Sequence, residues 1–340
     1  MPSRPFPSTS AHEFGLAACA VLLACSAAAA QPESACAGVS ATSPDPGAPV
    51  LIVERLAGQA LFAPPGAPRD LGGATGLCIL LVKPDSPDPV VQGTSGESGR
   101  FELSPAAPGR YVLIAGRGGA HPIVVPLQVA ASAPDAASRG LQLHMRMSED
   151  SRTSHATTIG NLDLRAELLA RLETDQAIRQ ELIDRGAQSI DPDVEARMAA
   201  IDAVNTAWVA AIVERHGWPR PALVGEDGSG AASTIVQHAG LDVQQRMLPL
   251  VEAAYREGAI AGQSYALLVD RVRFREGKPQ IYGTQALPFD QWNGTTPTLA
   301  PIEDRENVDR RRAEVGLPPV AEYLELLERF YFPGGAPGPR

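Results

Sequence analysis

Two patterns of hydrophobic and polar residues divide the chain into two halves. From about Val50 to Met147, short apolar runs are interrupted by Gly, Pro, Ser and Asp, and some runs alternate with polar residues as half-buried strands do. Runs this short and this regular predict an all-β sandwich over residues 50–147. The predicted strands are Leu51–Val53, Cys78–Val82, Val90–Gly93, Phe101–Leu103, Tyr111–Ala115, Ile123–Val129 and Leu141–Met147.

From residue 161 onwards, apolar residues recur at helical spacing instead. Asn161 is a predicted N-cap of a first helix that ends at Gly186, and Asp191-Pro192 opens a second helix that ends at Gly217. Residues 161–330 are therefore predicted to form a mainly α domain. Its further helices are predicted at Ser233–Ala239, Asp242–Glu257, Gln263–Phe274, Glu303–Val315 and Val320–Phe330.

The remaining segments have the composition of connections. Pro279–Leu287 and Thr295–Leu299 flank an Asn293-Gly294 turn, which predicts a small β-hairpin within the helical domain. The polar, aperiodic residues 148–160 are predicted to be a linker, and residues 331–340 a disordered tail.

The N-terminus has the pattern of an export signal. Phe14 to Ala30 is an apolar stretch that ends in small residues, and it is too short to span a membrane. Leu22-Leu23-Ala24-Cys25 also resembles a bacterial lipobox, in which Cys25 is acylated. Residues 1–30 are thus predicted to be a signal peptide or a lipoprotein signal, followed by a flexible arm over residues 31–49.

Two cysteines remain after either kind of processing. Cys36 and Cys78 form an even pair in a chain that we expect in an oxidising compartment. A disulfide between them is predicted, which would tie the N-terminal arm to the sandwich. The alternative is two unrelated thiols.

The composition excludes one class of partner. The net charge is −10, and aromatic residues make up 5% of the chain, so neither a basic surface nor a base-stacking surface for nucleic acid is expected. Residues 161–330 carry 18 Lys and Arg against 27 Asp and Glu, a net charge of −9. Such acidity most simply indicates solvated helix faces.

Two segments in the N-terminal half resemble a known domain family. Gly96-Glu97-Ser98-Gly99-Arg100-Phe101-Glu102-Leu103 and the later Pro108-Gly109-Arg110-Tyr111-Val112-Leu113 resemble the carboxypeptidase-regulatory-like (transthyretin-like) domain. That resemblance implies a seven-stranded accessory sandwich with no catalysis of its own. His121 and His144 lack the spacing of metal ligands, and we interpret them as ordinary strand or loop histidines.

Polar residues on apolar helical faces are the candidates for chemistry. Asn205 falls on the stripe Val194, Met198, Ile201, Trp208 and Ile212 of the second predicted helix, where a structural amide or a ligand contact would fit. Further candidates, each with a structural alternative, are Gln237-His238, Asp270-Arg271, the extended run Gln280 to Gln285 and the basic run Arg310-Arg311-Arg312.

These candidates together resemble an uncharacterised bacterial domain family with QHAD, DR and YGTQ motifs, known only as a domain of unknown function. The resemblance spans about Leu162 to Leu327. It departs from the family pattern at Gly240, where the family has an Asp that could orient the histidine. The matching residues are Asp175, Gln176, Arg179, Asn205, Gln237, His238, Asp270, Arg271, Gln280, Tyr282, Gly283, Thr284, Gln285 and Arg312.

Two hypotheses for the function follow. The first is a non-catalytic exported envelope protein, in which a sandwich spacer presents a helical module that binds a small ligand or another envelope protein. Its binding residues would be Asn205, Gln237, Arg271, Tyr282, Thr284, Gln285 and Arg312.

The alternative is a hydrolase, in which His238 is the general base and Asp270 its acidic partner. The sequence leaves open whether the protein is an enzyme. No metal-ligand motif or cofactor fingerprint occurs, so neither a metal nor a cofactor is predicted, and contact with a membrane is expected only through a lipid on Cys25.

Overall fold

The computed structural model describes residues 36, 39, 43–63, 72–117, 122–133, 136–146, 154–185, 191–288, 291–292 and 296–332. The predicted signal sequence with Cys25, His121, the Asn293-Gly294 turn and residues 333–340 of the predicted tail lie outside these residues. The chain forms two compact units. A β unit comprises the described residues of Ser26–Glu167 together with Pro221–Asp227, and a helical unit comprises those of Leu168–Arg220 and Gly228–Arg340.

Two β-sheets form the β unit. The first has the strand order β1-β8-β7-β4-β5 and the second the order β10-β9-β2-β3, with β6 also paired to β2. Most pairs are antiparallel, but β1 runs parallel to β8 and β2 runs parallel to β9. The strands are β1 Leu51–Val53, β2 Ala57–Ala63, β3 Gly72–Gly73, β4 Cys78–Val82, β5 Pro89–Thr94, β6 Arg100–Glu102, β7 Gly109–Gly116, β8 Ile123–Val129, β9 Gly140–Arg146 and β10 His155–Ile159.

The core of the β unit contains alternate residues of these strands. Ile79 and Leu81 of β4 belong to the same buried cluster as Leu113 of β7 and Leu141 and Leu143 of β9. The period-two pattern of the sequence therefore predicted these strands correctly, because successive residues of a strand point to opposite faces of the sheet. The predicted arrangement, β first and then mainly α, is confirmed.

Three strands were missing from the sequence prediction, which had seven. The structure has ten strands among the described residues, and β10 lies inside the segment that was predicted to be a linker. That prediction is wrong for His155–Ile159, whose alternation was hidden by its polar residues. The strand β2 was missed because its small residues are buried on both faces: a Cβ on Gly58 would lie 1.7 Å from the carbonyl oxygen of Leu141.

Cys36 and Cys78 form a disulfide, with their Cα atoms 5.0 Å apart. Cys78 lies on the face of β4 that points away from the main core, and a smaller apolar cluster surrounds it. A cavity of about 450 Å³ lies beside this disulfide, lined mainly by apolar side chains. None of the residues predicted to carry chemistry lines that cavity.

Seven helices occur in the part of the chain that the structure describes, in agreement with a mainly α C-terminal half. Isolated bridges join Gln280 to Ile302 and Ala286 to Leu299 in place of a regular hairpin. The helices are α1 Leu162–Asp184, α2 Pro192–His216, α3 Pro221–His238, α4 Leu241–Arg256, α5 Gly262–Arg275, α6 Val308–Glu314 and α7 Val320–Tyr331.

Helix α3 is longer than its sequence predicted. It begins at Pro221 and not near Ser233, although Gly225 inside it has a φ of 76° that breaks the helical path. The segment around this break, Pro221–Asp227, belongs to the β unit. There Asp227 accepts hydrogen bonds from Arg165 at 2.8 and 2.7 Å and from Arg100 at 3.2 Å. The β unit therefore includes residues from within the helical half of the sequence.

Helix α2 has the length and hydropathy of a membrane-crossing helix. The core helix of a globular unit meets the same criteria. The buried residues of α2 include Asp202 and Asn205, and Asp202 is paired with an arginine of α1.

Candidate functional site

A layer of polar residues lies between α1 and α2. The buried residues of α2 lie at the spacing of one helical face and are Val194, Met198, Asp202, Asn205, Val209, Ile212 and Val213. Two residues of the predicted stripe, Ile201 and Trp208, are only partly buried, although Ile201 packs against the apolar cluster of α1 and α2. Asn205 lies on the buried face as predicted, but that face also includes Asp202, which the apolar periodicity did not reveal.

Arg179 of α1 joins two buried carboxylates. Its Nη1 donates to Oδ1 of Asp175 at 2.8 Å, and its Nη2 donates to both oxygens of Asp202 at 2.7 and 2.9 Å. The side chains are 1% (Asp175), 8% (Arg179) and 9% (Asp202) exposed. The guanidinium thus divides its two terminal nitrogens between carboxylates on two helices, and these charge-assisted hydrogen bonds tie α1 to α2.

His238 completes the cluster at the C-terminal end of α3. Its Nδ1 lies 2.9 Å from Oδ1 of Asp175, and its side chain is 2% exposed. Because an ionised carboxylate can only accept, Nδ1 carries the proton and Nε2 has a free lone pair. We call Asp175, Arg179, Asp202 and His238 the Asp–Arg–His cluster.

The cluster favours a neutral imidazole and an ionised Asp175. Burial, followed by the nearby charge of Arg179, lowers the pKa of His238, and these effects outweigh the contribution of Asp175. Burial alone would raise the pKa of Asp175, but the hydrogen bond from His238 and the charge of Arg179 hold that pKa below its usual value. His238 is therefore set up as a hydrogen-bond acceptor or a base.

Two side chains hold the end of α3 in place. Gln244 of α4 donates to the carbonyl oxygens of Val236 and Gln237, at 3.2 and 2.8 Å. Arg275 of α5 donates to the carbonyl of Ala239 at 2.7 Å and to Oε1 of Gln244 at 3.1 Å. The last carbonyls of a helix lack internal partners and attract positive charge, so these contacts fix the position of His238.

Several buried polar atoms next to this point make no hydrogen bond within the described part of the chain. They are Nε2 of His238 and both amide atoms of Gln237. The two residues are adjacent in sequence. Counting backbone and side chain together, His238 is 9% exposed and Gln237 is 3% exposed. A buried polar group without a partner costs about 1–3 kcal/mol, so such groups are unusual unless they have a function.

Asp175, Asp202 and His238 also have the donor types of a metal site, and their donor atoms lie within 4.8 Å of one another. However, Arg179 is hydrogen bonded to both carboxylates and already offsets one of their two negative charges. A divalent ion there would put a second cation next to a buried guanidinium. The cluster therefore fits an arginine better than a metal.

Asp270 has a different role from the one predicted. Both of its oxygens accept hydrogen bonds from the loop after α5: the backbone N–H groups of Ile281, Tyr282 and Thr284 at 2.7–3.2 Å, and the Thr284 hydroxyl at 3.0 Å. Burial raises the pKa of Asp270, against these hydrogen bonds. The carboxylate that contacts His238 is Asp175, so the predicted pairing of His238 with Asp270 is corrected.

Arg312 and Gln280 hold the same loop from other sides. Nη1 of Arg312 donates to the carbonyls of Tyr282 and Gly283, and the Gln280 amide bridges Gln285 and Ala300. Gly283 has a φ of 65°, and a Cβ there would lie 2.6 Å from Ile302. The YGTQ motif thus forms a loop whose backbone is satisfied by buried side chains.

The other predicted binding residues lie in these internal networks. Asn205 accepts from Arg171 at 3.2 Å, Gln285 donates to Thr284 at 2.9 Å, and Arg271 is 2% exposed. Tyr282 is half-buried against Tyr265, and burial raises its pKa to about 12. None of the predicted binding residues in the loop after α5 (Tyr282, Thr284 and Gln285) forms a hydrogen bond with His238 among the described contacts.

Three members of the Asp–Arg–His cluster were not predicted as site residues. Asp175 and Arg179 appear in the sequence only as part of the family resemblance, and Asp202 has no motif. One signal was available: Asp175 and Arg179 are four residues apart on a helix whose same face carries leucines. A charged pair on an apolar face indicates a buried partner elsewhere.

A comparison with protein-family models matches residues 162–333, just over half of the chain, to a family of unknown function (DUF6624). No curated protein and no solved structure matches the chain. The predicted resemblance of the C-terminal half is confirmed. The N-terminal half is β-rich, and its predicted likeness to a carboxypeptidase-regulatory-like domain stays a prediction.

Replacing Arg179 by methionine should destabilise the protein strongly. The change leaves two buried carboxylates without their cation, which costs about 3–5 kcal/mol for buried pairs. Chemical denaturation of the full chain measures this loss. Arg197→Met is the matched control, because Arg197 also contacts two carboxylates, Glu181 and Asp193, but is 45% exposed. Equal effects of the two substitutions would contradict the role assigned to Arg179.

The lowered pKa of His238 predicts acid sensitivity. Below about pH 6.5, unfolded chains bind a proton at this histidine that the folded protein does not bind, so folding stability falls as pH falls. Asp175 adds a loss of the same sign near and below about pH 4. The decrease in Tm between about pH 6.5 and about pH 5 should be shallower in His238→Gln than in the wild type. Parallel Tm profiles would show that His238 is not buried as the neutral form.

Proposed function

The chain belongs to DUF6624, a family of unknown function, and we propose that it is an exported envelope protein whose helical unit binds a small polar ligand at His238 and Gln237. The β unit would serve as the spacer that presents this module.

The observation that carries the proposal is a contrast between two buried glutamines. Gln280 is 0% exposed, and its amide makes three hydrogen bonds inside the loop that it supports. Gln237 is 3% exposed, and its amide makes none with the described residues. Hydrogen-bond satisfaction explains the first amide but not the second, and a ligand would supply what the second lacks.

The Asp–Arg–His cluster supports the same site. Asp175 and the capped end of α3 fix the ring of His238, so that Nε2 is held as an acceptor without a protein partner. A ligand that donates a hydrogen bond would bind there, and the neutral imidazole would not repel a cationic ligand. Preorganised polar groups of this kind bind with less loss of conformational entropy.

Export is supported by two features. The N-terminal sequence has the pattern of a signal with a lipobox at Cys25. The Cys36–Cys78 disulfide is the bond expected of a protein that folds in an oxidising compartment.

Ligand binding at His238 requires that the ring can be reached from solvent. Diethyl pyrocarbonate acylates neutral imidazoles, and peptide mass spectrometry of the full chain can locate the modified histidines. We expect His238 to react in the folded protein, more slowly than the exposed His216 at the end of α2. Complete protection of His238, under conditions that modify His216 fully and His238 in denaturant, would rule out the binding role.

One arrangement favours a second candidate, a hydrolase. The hydrogen bond from Nδ1 to Asp175 leaves Nε2 as a general base, the geometry of an oriented catalytic histidine. Within the described residues, no serine, threonine or cysteine is hydrogen bonded to His238, so the base would act on water. Asp175 takes the role that the sequence had suggested for Asp270.

Export itself is tested on the mature protein. We expect an N-terminus after Ala30 or an acylated Cys25, determined by mass spectrometry of protein produced with its own N-terminal sequence. In the acylated case, labelled palmitate would enter the wild type and not Cys25→Ser. A mature protein that still begins with Met1 would contradict export.

A further inference from the structure

We propose a second site, independent of His238: a binding site for a divalent transition-metal ion, formed by His144 and His155 on the second sheet of the β unit. The two histidines are direct partners in the antiparallel pair β9–β10. Their rings are stacked, with centroids 4.5 Å apart and planes 10° from parallel. Nothing in the sequence spacing indicated this pair, because the partners come from different strands.

The pair lies on the outer face of the sheet. Leu141, Leu143 and Met145 of β9 point into the core, so His144 points away from it. His155 is exposed, and β10 is the edge strand of its sheet. His144 is partly buried, so an ion would approach the pair from the side of the exposed His155, without any opening of the core.

The strand pairing supplies the preorganisation that a chelate needs. The backbone register fixes both Cα atoms, and only the side-chain torsions remain to be set. Nitrogens bound to one ion at about 2.0–2.1 Å lie roughly 3 Å apart, a separation that rings stacked at this distance reach by rotating about their Cβ–Cγ bonds. The hydroxyl of Thr157, 3.4 Å from Nε2 of His144, stands beside the same site.

The chemistry of the donors selects the class of ion. Imidazole nitrogens suit Cu²⁺, Ni²⁺ and Zn²⁺, whereas Ca²⁺ and Mg²⁺ require oxygen ligands. The pair supplies two imidazole ligands at the surface of the sheet, so a bound ion would be open to exchange with solvent. Among these ions, Cu²⁺ binds nitrogen sites most strongly and is the most sensitive probe.

Titration of the full chain with Cu²⁺, followed by calorimetry and by electron paramagnetic resonance, tests the site. We expect one ion bound with a two-nitrogen imidazole signature. His144→Asn and His155→Asn should each weaken binding at least about tenfold, because each removes one of the two protein ligands. Circular dichroism checks that the variants remain folded, which their position on the outer face favours.

The control is His216→Asn, which removes an exposed histidine at the end of α2, outside the β9–β10 pair. It should leave the affinity and the spectrum unchanged. Absence of Cu²⁺ binding, or binding that survives His155→Asn with the same affinity, would overturn the proposal. Neither result depends on whether the helical unit binds a ligand at His238.

Discussion

The helical unit depends on one guanidinium between two buried carboxylates. Arg179 pairs with Asp175 on its own helix and with Asp202 on the next, and this contact sets how α1 and α2 face each other. It also adds to the hydrogen bond from His238 in holding the pKa of Asp175 below its usual value, so that Asp175 stays ionised and holds the ring of His238. Without the arginine, both buried carboxylates would lose their cationic partner, and Asp175 would hold the ring of the histidine less firmly.

The same constraint explains why so many motif residues are structural. A buried charge or amide must be hydrogen bonded, and here the partners are often backbone groups. Asp270 and Arg312 satisfy the N–H and C=O groups of the loop from Ile281 to Thr284, which allows irregular backbone to be buried. Gln237 differs from these residues because neither atom of its amide has a partner among the described residues, and Nε2 of the adjacent His238 has none there either.

The sequence predicted the fold class and most elements, because period two and period 3.6 depend only on neighbours along the chain. It missed β2, because nearly all residues of this strand are buried and no apolar–polar alternation results. It also missed β10, because the residues of this strand are mostly polar and its alternation between faces does not show as a hydrophobic pattern. It could not identify the partner of His238, because Asp175 lies 63 residues away and the nearer-looking Asp270 is engaged with a loop. The sequence identified His238 as a candidate because histidine is a common acid–base residue. Its carboxylate partner, Asp175, was identified only from the three-dimensional structure.

The protonation state of His238 tests the central claim most directly. Nitrogen-15 NMR of the labelled full chain at neutral pH distinguishes the two neutral tautomers and the imidazolium. The account predicts a neutral ring with its proton on Nδ1 and an unprotonated Nε2, and loss of that tautomeric preference in Asp175→Asn. A protonated Nε2, either as the other tautomer or as the imidazolium, would contradict it.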